Sequence, residues 1–148
     1  MEENRQRAVL APPEAGWSEL HIGDWSDRVS YLDDVPMILL KAFRDYYDRN
    51  VHTTPAVTFD AEGWEFTVVF NPGTVHIIEM KDEAELTTIE VNMAALATQL
   101  ANDILENLDG WTNWMEYSNS TPYDLALRKE TLKNFCNGLI EKAQKIRR

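Results

Sequence analysis

The sequence predicts an α+β domain, with a single antiparallel β-sheet of four to six strands covered mainly on one face by three helices. Short segments that alternate apolar and polar residues are separated by turn residues, which is the pattern of half-buried strands. Three longer segments repeat apolar residues every three or four positions, as amphipathic helices do. The order along the chain is ββ-α-ββββ-αα, and the strands are too close in sequence for the crossovers that parallel pairing needs.

The first segment mixes charged residues with alanine, proline and glycine, and predicts a flexible leader over residues 1–16. A single domain over residues 17–148 follows. Leu20 and Ile22 alternate with polar neighbours, and the same pattern resumes at Val29, so two strands are expected around a turn at GDWSD. This interpretation places Trp25 in the turn, where its ring has little core to reach and is expected to be exposed.

A helix is predicted next, over residues 34–49. Pro36 suits the first helical turn, where its missing N–H is not needed. Apolar residues then recur at helical spacing, which gives the segment one face to bury.

Four strands follow between residues 56 and 90. The segment WEFTVVFN alternates, so Phe66, Val68 and Phe70 are expected to face the core while Glu65 faces solvent. Asn71-Pro72-Gly73 is a strong turn signal, and the acidic segment KDEAE predicts another turn.

Two further helices are predicted, over residues 93–109 and 122–146. The apolar stripe of the first is expected to cover the core face of the strand at 64–71, because both need an apolar partner. The same stripe runs on into Trp111, which is interpreted as core. For Trp114 two interpretations stay open, a buried core ring and an exposed anchor at an interface.

Charge is distributed unevenly in this chain of net charge −11. Residues 19–117 contain nineteen acids and five bases, whereas residues 118–148 contain three acids and seven bases. Such a field repels nucleic acid, so no DNA or RNA partner is expected. It attracts basic proteins and speeds the encounter with them, although net charge also serves plain solubility.

No motif for catalysis, cofactor binding or metal binding is found. The histidines follow no metal-ligand spacing, and Cys136 lacks the context of a nucleophile. Carboxylates surround two predicted turns, but they lack the ligand order of a calcium loop, and turn residues are usually solvated. We therefore expect no cofactor, no metal and no catalytic residue.

Cellular location is inferred from three observations. There is one cysteine, no apolar run of signal-peptide type and no apolar stretch long enough to cross a bilayer. These observations predict a cytoplasmic protein with no membrane partner.

The favoured function is a protein-interaction module, such as an immunity- or antitoxin-like inhibitor that covers a basic site on a partner protein. The alternative is a structural or accessory domain, or an assembly subunit, whose acidity serves only solubility, and a small enzyme is less favoured. Nothing in the sequence sets the oligomeric state. The expected interaction surface combines turn acids with two tryptophans: Trp25, Asp60, Glu62, Asp82, Glu83, Glu85 and Trp114.

Overall fold

A computed structural model describes residues 8–48, 54–114 and 121–145 of the chain. It confirms the predicted α+β class. No helix in these ranges combines the length and the apolar character needed to span a bilayer. The elements are β1 (Trp17–Ile22), β2 (Trp25–Ser30), α1 (Val35–Tyr47), β3 (Ala56–Asp60), β4 (Glu65–Asn71), β5 (Thr74–Met80), β6 (Ala84–Glu90), α2 (Met93–Glu106), α3 (Leu108–Thr112) and α4 (Pro122–Lys145).

The strands form two antiparallel sheets where the sequence predicted one. Strands β3 to β6 make a four-stranded meander in chain order, and β1 and β2 make a separate hairpin. Strand β2 lies near β3, but the link runs through the Ser30 hydroxyl, which donates to the Asp60 carbonyl at 3.4 Å. Because no backbone ladder joins β2 to β3, the hairpin remains a sheet of its own.

The predicted register of the central strand is confirmed. Phe66, Val68 and Phe70 are buried on the inner face of β4, while the residues between them are partly or fully exposed. Phe70 packs against Phe43 of α1 with ring centroids 4.9 Å apart. The apolar residues of α2 belong to the same core, so the helices and the four-stranded sheet share one apolar interior.

The segment before β1 is packed against the domain from Val9 onward. Val9 and Leu10 are buried, and both of their backbone N–H groups donate to one oxygen of the buried Asp103, at 2.6 and 3.0 Å. Gln99 donates to the other oxygen at 2.7 Å. The packed part of the chain therefore begins before the predicted domain start at residue 17, because the Asp103 carboxylate on α2 accepts hydrogen bonds from the Val9 and Leu10 backbone.

Replacing Asp103 by alanine should lower the free energy of unfolding by about 3 kcal/mol, because two buried N–H groups lose their acceptor. Asp103→Asn should cost much less, since an amide oxygen can accept the same two bonds. Glu106→Ala, at an exposed position on the same helix, serves as the control. Urea unfolding followed by circular dichroism measures all three, and equal losses for the alanine and asparagine variants would contradict this role.

The C-terminal helix is joined to the rest of the fold by Arg128. Its guanidinium donates to both carboxylate oxygens of Asp34, at 2.9 Å each, beside the start of α1. It also donates to the carbonyls of Trp111 and Thr112 at 3.0 and 3.1 Å, at the end of α3. One side chain therefore ties three helices together through planar, charge-assisted bonds.

Candidate functional site

One face of the four-stranded sheet has no described helix over it. On this side the cross-strand rows are Thr58–Thr67–Ile78–Leu86 and Ala56–Val69–His76–Thr88, with Met80 and Ala84 beside them. The Thr58 and Thr67 hydroxyls lie 2.8 Å apart, and His76 Nδ1 lies 3.0 Å from the Thr88 hydroxyl. We call this surface the open face: Ala56, Thr58, Thr67, Val69, His76, Ile78, Met80, Ala84, Leu86 and Thr88.

The centre of the open face is apolar. Leu86 is 68% exposed and Met80 is 55% exposed, and both project from this side of the sheet. Val69 and Ile78 lie on the two middle strands of the same face and are partly exposed. Large apolar side chains that share one solvent-facing surface are more informative than single exposed ones, because such patches commonly mark binding sites.

Carboxylates surround this apolar centre. Glu65 and Asp60 are paired across β3 and β4 at one end of the open face, and Glu90 lies at the other end. Strands β3 to β6 and their turns contain eight acids and one lysine, of which Glu79 and Glu85 belong to the inner side of their strands. An apolar centre with a charged rim is the usual anatomy of a protein interface.

Two of the four helices have the opposite balance of charge, whereas α2 and α3 contain three acids and no base. Helices α1 and α4 together contain seven bases and four acids. Because these helices pack behind the inner face of the sheet, the acidic and basic surfaces lie on different sides of the domain. A cationic partner should therefore be attracted to the sheet in particular, and not only to the net negative charge of the chain.

The predicted acids of the first turn lie at the edge of the open face. Asp60 is partly buried, and its carboxylate accepts the Glu62 backbone N–H at 2.7 Å, which stabilises the turn. Glu62 has a positive φ of 57°, and its side chain is exposed. Its carbonyl accepts a bond from Arg28 at 3.0 Å. Only Glu62 of the two therefore offers an unburied carboxylate.

The acids of the second turn are placed almost as predicted. Asp82, Glu83 and Glu85 are all exposed. The turn itself is shorter than expected, because Ala84 and Glu85 already belong to β6. Glu79, by contrast, is 6% exposed and is directed inward, so this acid does not contribute to the solvated surface around the turn.

The two tryptophans predicted for the surface are less accessible than expected. Trp25 is the first residue of β2, and its ring packs edge-on against Phe66 with centroids 5.2 Å apart. Trp114 is 3% exposed, and its indole N–H donates to the Asp33 carbonyl at 2.8 Å. The prediction of an exposed Trp25 is therefore wrong, and for Trp114 the core interpretation is correct.

Sequence reasoning missed a stack of cations and indoles beside the open face. The Arg28 guanidinium lies 4.5 Å from the ring centroid of Trp64 and 5.2 Å from that of Trp17. The Lys81 ammonium lies 5.3 Å from the Trp64 ring. No local signal predicts this arrangement, because its members come from two strands and two loops that only the fold brings together.

The clefts beside this stack are shallow features of the surface. A cleft of about 680 Å³ is lined partly by Glu14, Glu19, Trp17 and Arg28, and another of about 590 Å³ is lined partly by Trp64 and Met80. Within the described ranges, no group of three histidine, cysteine or acidic side chains is arranged to hold a metal ion. Cys136 is buried, which raises the pKa of its thiol to about 12 and keeps it protonated.

Comparison with known proteins adds no family to this description. No protein-family model, curated protein or solved structure matches the chain significantly. Inference about function therefore rests on the chemistry of the surfaces described above.

Proposed function

We propose that the protein is an acidic interaction module that binds a basic partner protein through the open face, as an immunity- or antitoxin-like inhibitor would. The observation that carries the proposal is the exposure of Met80 and Leu86 together on the acidic sheet. Acids around the rim would steer a cationic surface toward the sheet. The apolar centre would then provide the desolvated contact that holds the complex.

The accessory-domain alternative explains less of this surface. Charge that serves solubility works best when apolar side chains are scattered, because a shared apolar patch promotes association. Here the largest exposed apolar residues of the sheet share one side, and the carboxylates lie around them. The proposal includes a cytoplasmic location, which fits a chain whose single cysteine is a buried free thiol.

The test uses a photoreactive amino acid placed at Leu86. Leu127 provides the matched control, because it is a similarly exposed leucine (57%) on the basic α4. Crosslinking in extracts of the source cells should join position 86, and not position 127, to a basic protein. The yield should fall at high salt, since steering acts through a screened field.

The captured protein must then be purified, and its binding must be measured directly. Saturable binding that the unmodified chain competes away would support the proposal. Equal capture from positions 86 and 127, or capture that is indifferent to salt, would contradict it.

A further inference from the structure

The outer side of β6 is an unpaired edge of the four-stranded sheet. Strand β6 is last in the sheet order, and within the described part of the chain no strand pairs with its far side. All seven residues of the strand pair with β5 in one continuous register, so the edge has no bulge that would twist it away. The strand also contains no proline and no lysine, which commonly block such edges. The edge is therefore regular enough to accept another strand.

Alternate backbone groups of β6 are directed away from β5. The N–H of Val91, the residue after β6, donates to the Gly73 carbonyl at 3.0 Å, so these two residues form a hydrogen-bonded pair. Bonded and non-bonded pairs alternate along antiparallel strands, so every second residue of β6, counted back from Val91, bonds to β5. The backbone N–H and C=O groups of Leu86 and Thr88 point outward instead, and both residues are exposed. The free edge therefore adjoins the open face, to which both side chains belong.

The opposite edge of the sheet is partly occupied. Strand β3 has five residues, and the Asp60 N–H at its end donates to the Asp33 carboxylate at 2.7 Å. The Asp60 carbonyl accepts the Ser30 hydroxyl of β2 at 3.4 Å. A strand that joins this sheet is consequently expected at β6.

The charges along β6 favour a basic strand as the occupant. Four exposed acids lie on β6 or in the turn before it: Asp82, Glu83, Glu85 and Glu90. A second copy of β6, in either direction, would bring its own acids against these, and like charges across a strand pair are destabilising. Lysine or arginine side chains on an added strand would instead form favourable pairs with them.

We infer that β6 binds an extended segment of the basic partner, rich in lysine or arginine, as an additional strand of the sheet. Main-chain hydrogen bonds to the outward groups of Leu86 and Thr88 provide affinity, and alternate side chains of the segment provide specificity. Basic side chains of the segment lie near Glu85 and Glu90. This inference rests on the proposed function, because it takes the partner to be basic, and it adds which part of the partner is recognised and how.

Thr88→Pro tests strand addition, because it removes an outward N–H and leaves the ladder to β5 intact, as edge strands tolerate. Thr88→Ala is the matched control, since it removes the same side chain and keeps the N–H. The probe is a short synthetic peptide that alternates lysine with valine, and isothermal titration calorimetry measures its binding. We expect Thr88→Pro to bind the peptide roughly tenfold more weakly than Thr88→Ala does. Circular dichroism should show both variants folded.

Amide hydrogen exchange in the unmodified chain gives a second measurement that needs no substitution. With saturating peptide, the Leu86 and Thr88 amides should exchange several-fold more slowly, because their N–H groups gain an acceptor. The internal control is Thr58 on β3. The Phe70 N–H donates to the Pro55 carbonyl at 3.0 Å, so by the same alternation the Thr58 N–H also points outward. Its exchange rate should stay the same.

Three results would each overturn strand addition: no saturable binding of the peptide, equal affinity for the two Thr88 variants, or unchanged exchange at Leu86 and Thr88. The proposed function still stands after such a result if position 86 captures a basic protein, since the open face then binds through side chains alone. Equal capture from positions 86 and 127 contradicts the proposed function itself, so different measurements distinguish the two failures.

Discussion

Replacing Arg128 by alanine is expected to lower the free energy of unfolding by about 3 kcal/mol, because it leaves a partly buried carboxylate and two helix-end carbonyls without a donor. The side chain is only 17% exposed, so little water is present to replace it. Arg128→Lys should recover less than half of the loss, because an ammonium cannot form the two parallel bonds that the guanidinium makes to Asp34. Urea unfolding followed by far-ultraviolet circular dichroism measures these changes.

The neighbouring Lys129 is the control for this prediction. It pairs with Asp109 at 2.8 Å, but both side chains are largely exposed to solvent. Lys129→Ala should therefore change the unfolding free energy by no more than about 0.5 kcal/mol. Similar losses for the two alanine variants would show that Arg128 does not join the three helices as described.

Leu86→Glu should weaken binding of the captured partner roughly 30-fold or more, as the loss of a central interface contact does. The substitution adds negative charge, so steering of a basic partner is not reduced. The loss should therefore appear mainly in the dissociation rate. Surface plasmon resonance with the purified partner gives both rates.

Leu127→Glu makes the same chemical change on α4, where leucine is also exposed. It should leave the affinity within about twofold, because substitutions outside an interface usually have small effects. Circular dichroism should show both variants folded. If the two variants bind equally well, the open face is not the binding surface.

The fold was predictable wherever a strand or helix buries one side and exposes the other. Strand β4 is an example: its alternation predicts which residues are buried, and Phe66 and Phe70 lie where that alternation places them. Boundaries at tight turns were less predictable. Ile22 pairs with Trp25 across a turn of two residues, in which Gly23 has a φ of +59°, so the strand begins at Trp25.

The candidate site was only partly predictable, for a different reason. The exposed acids of the Lys81–Glu83 turn follow from local sequence. The burial of Glu79 does not, because the Trp25 indole that donates to it is 54 positions away and nothing in the sequence pairs the two. The apolar centre of the open face was also missed, since Leu86 and Met80 become neighbours only after the register of β5 and β6 is known.

The separation of acids on the sheet from bases on α1 and α4 gives the domain a permanent electric dipole. A positively charged surface, such as an anion-exchange resin or an aminated sensor chip, should therefore adsorb the molecule sheet-first, with α4 directed toward solution. Immobilisation by amine chemistry gives the opposite orientation, because most of the described lysines lie on α1 and α4. Coupling through those lysines holds the domain by its helices and leaves the sheet free to meet a ligand in solution.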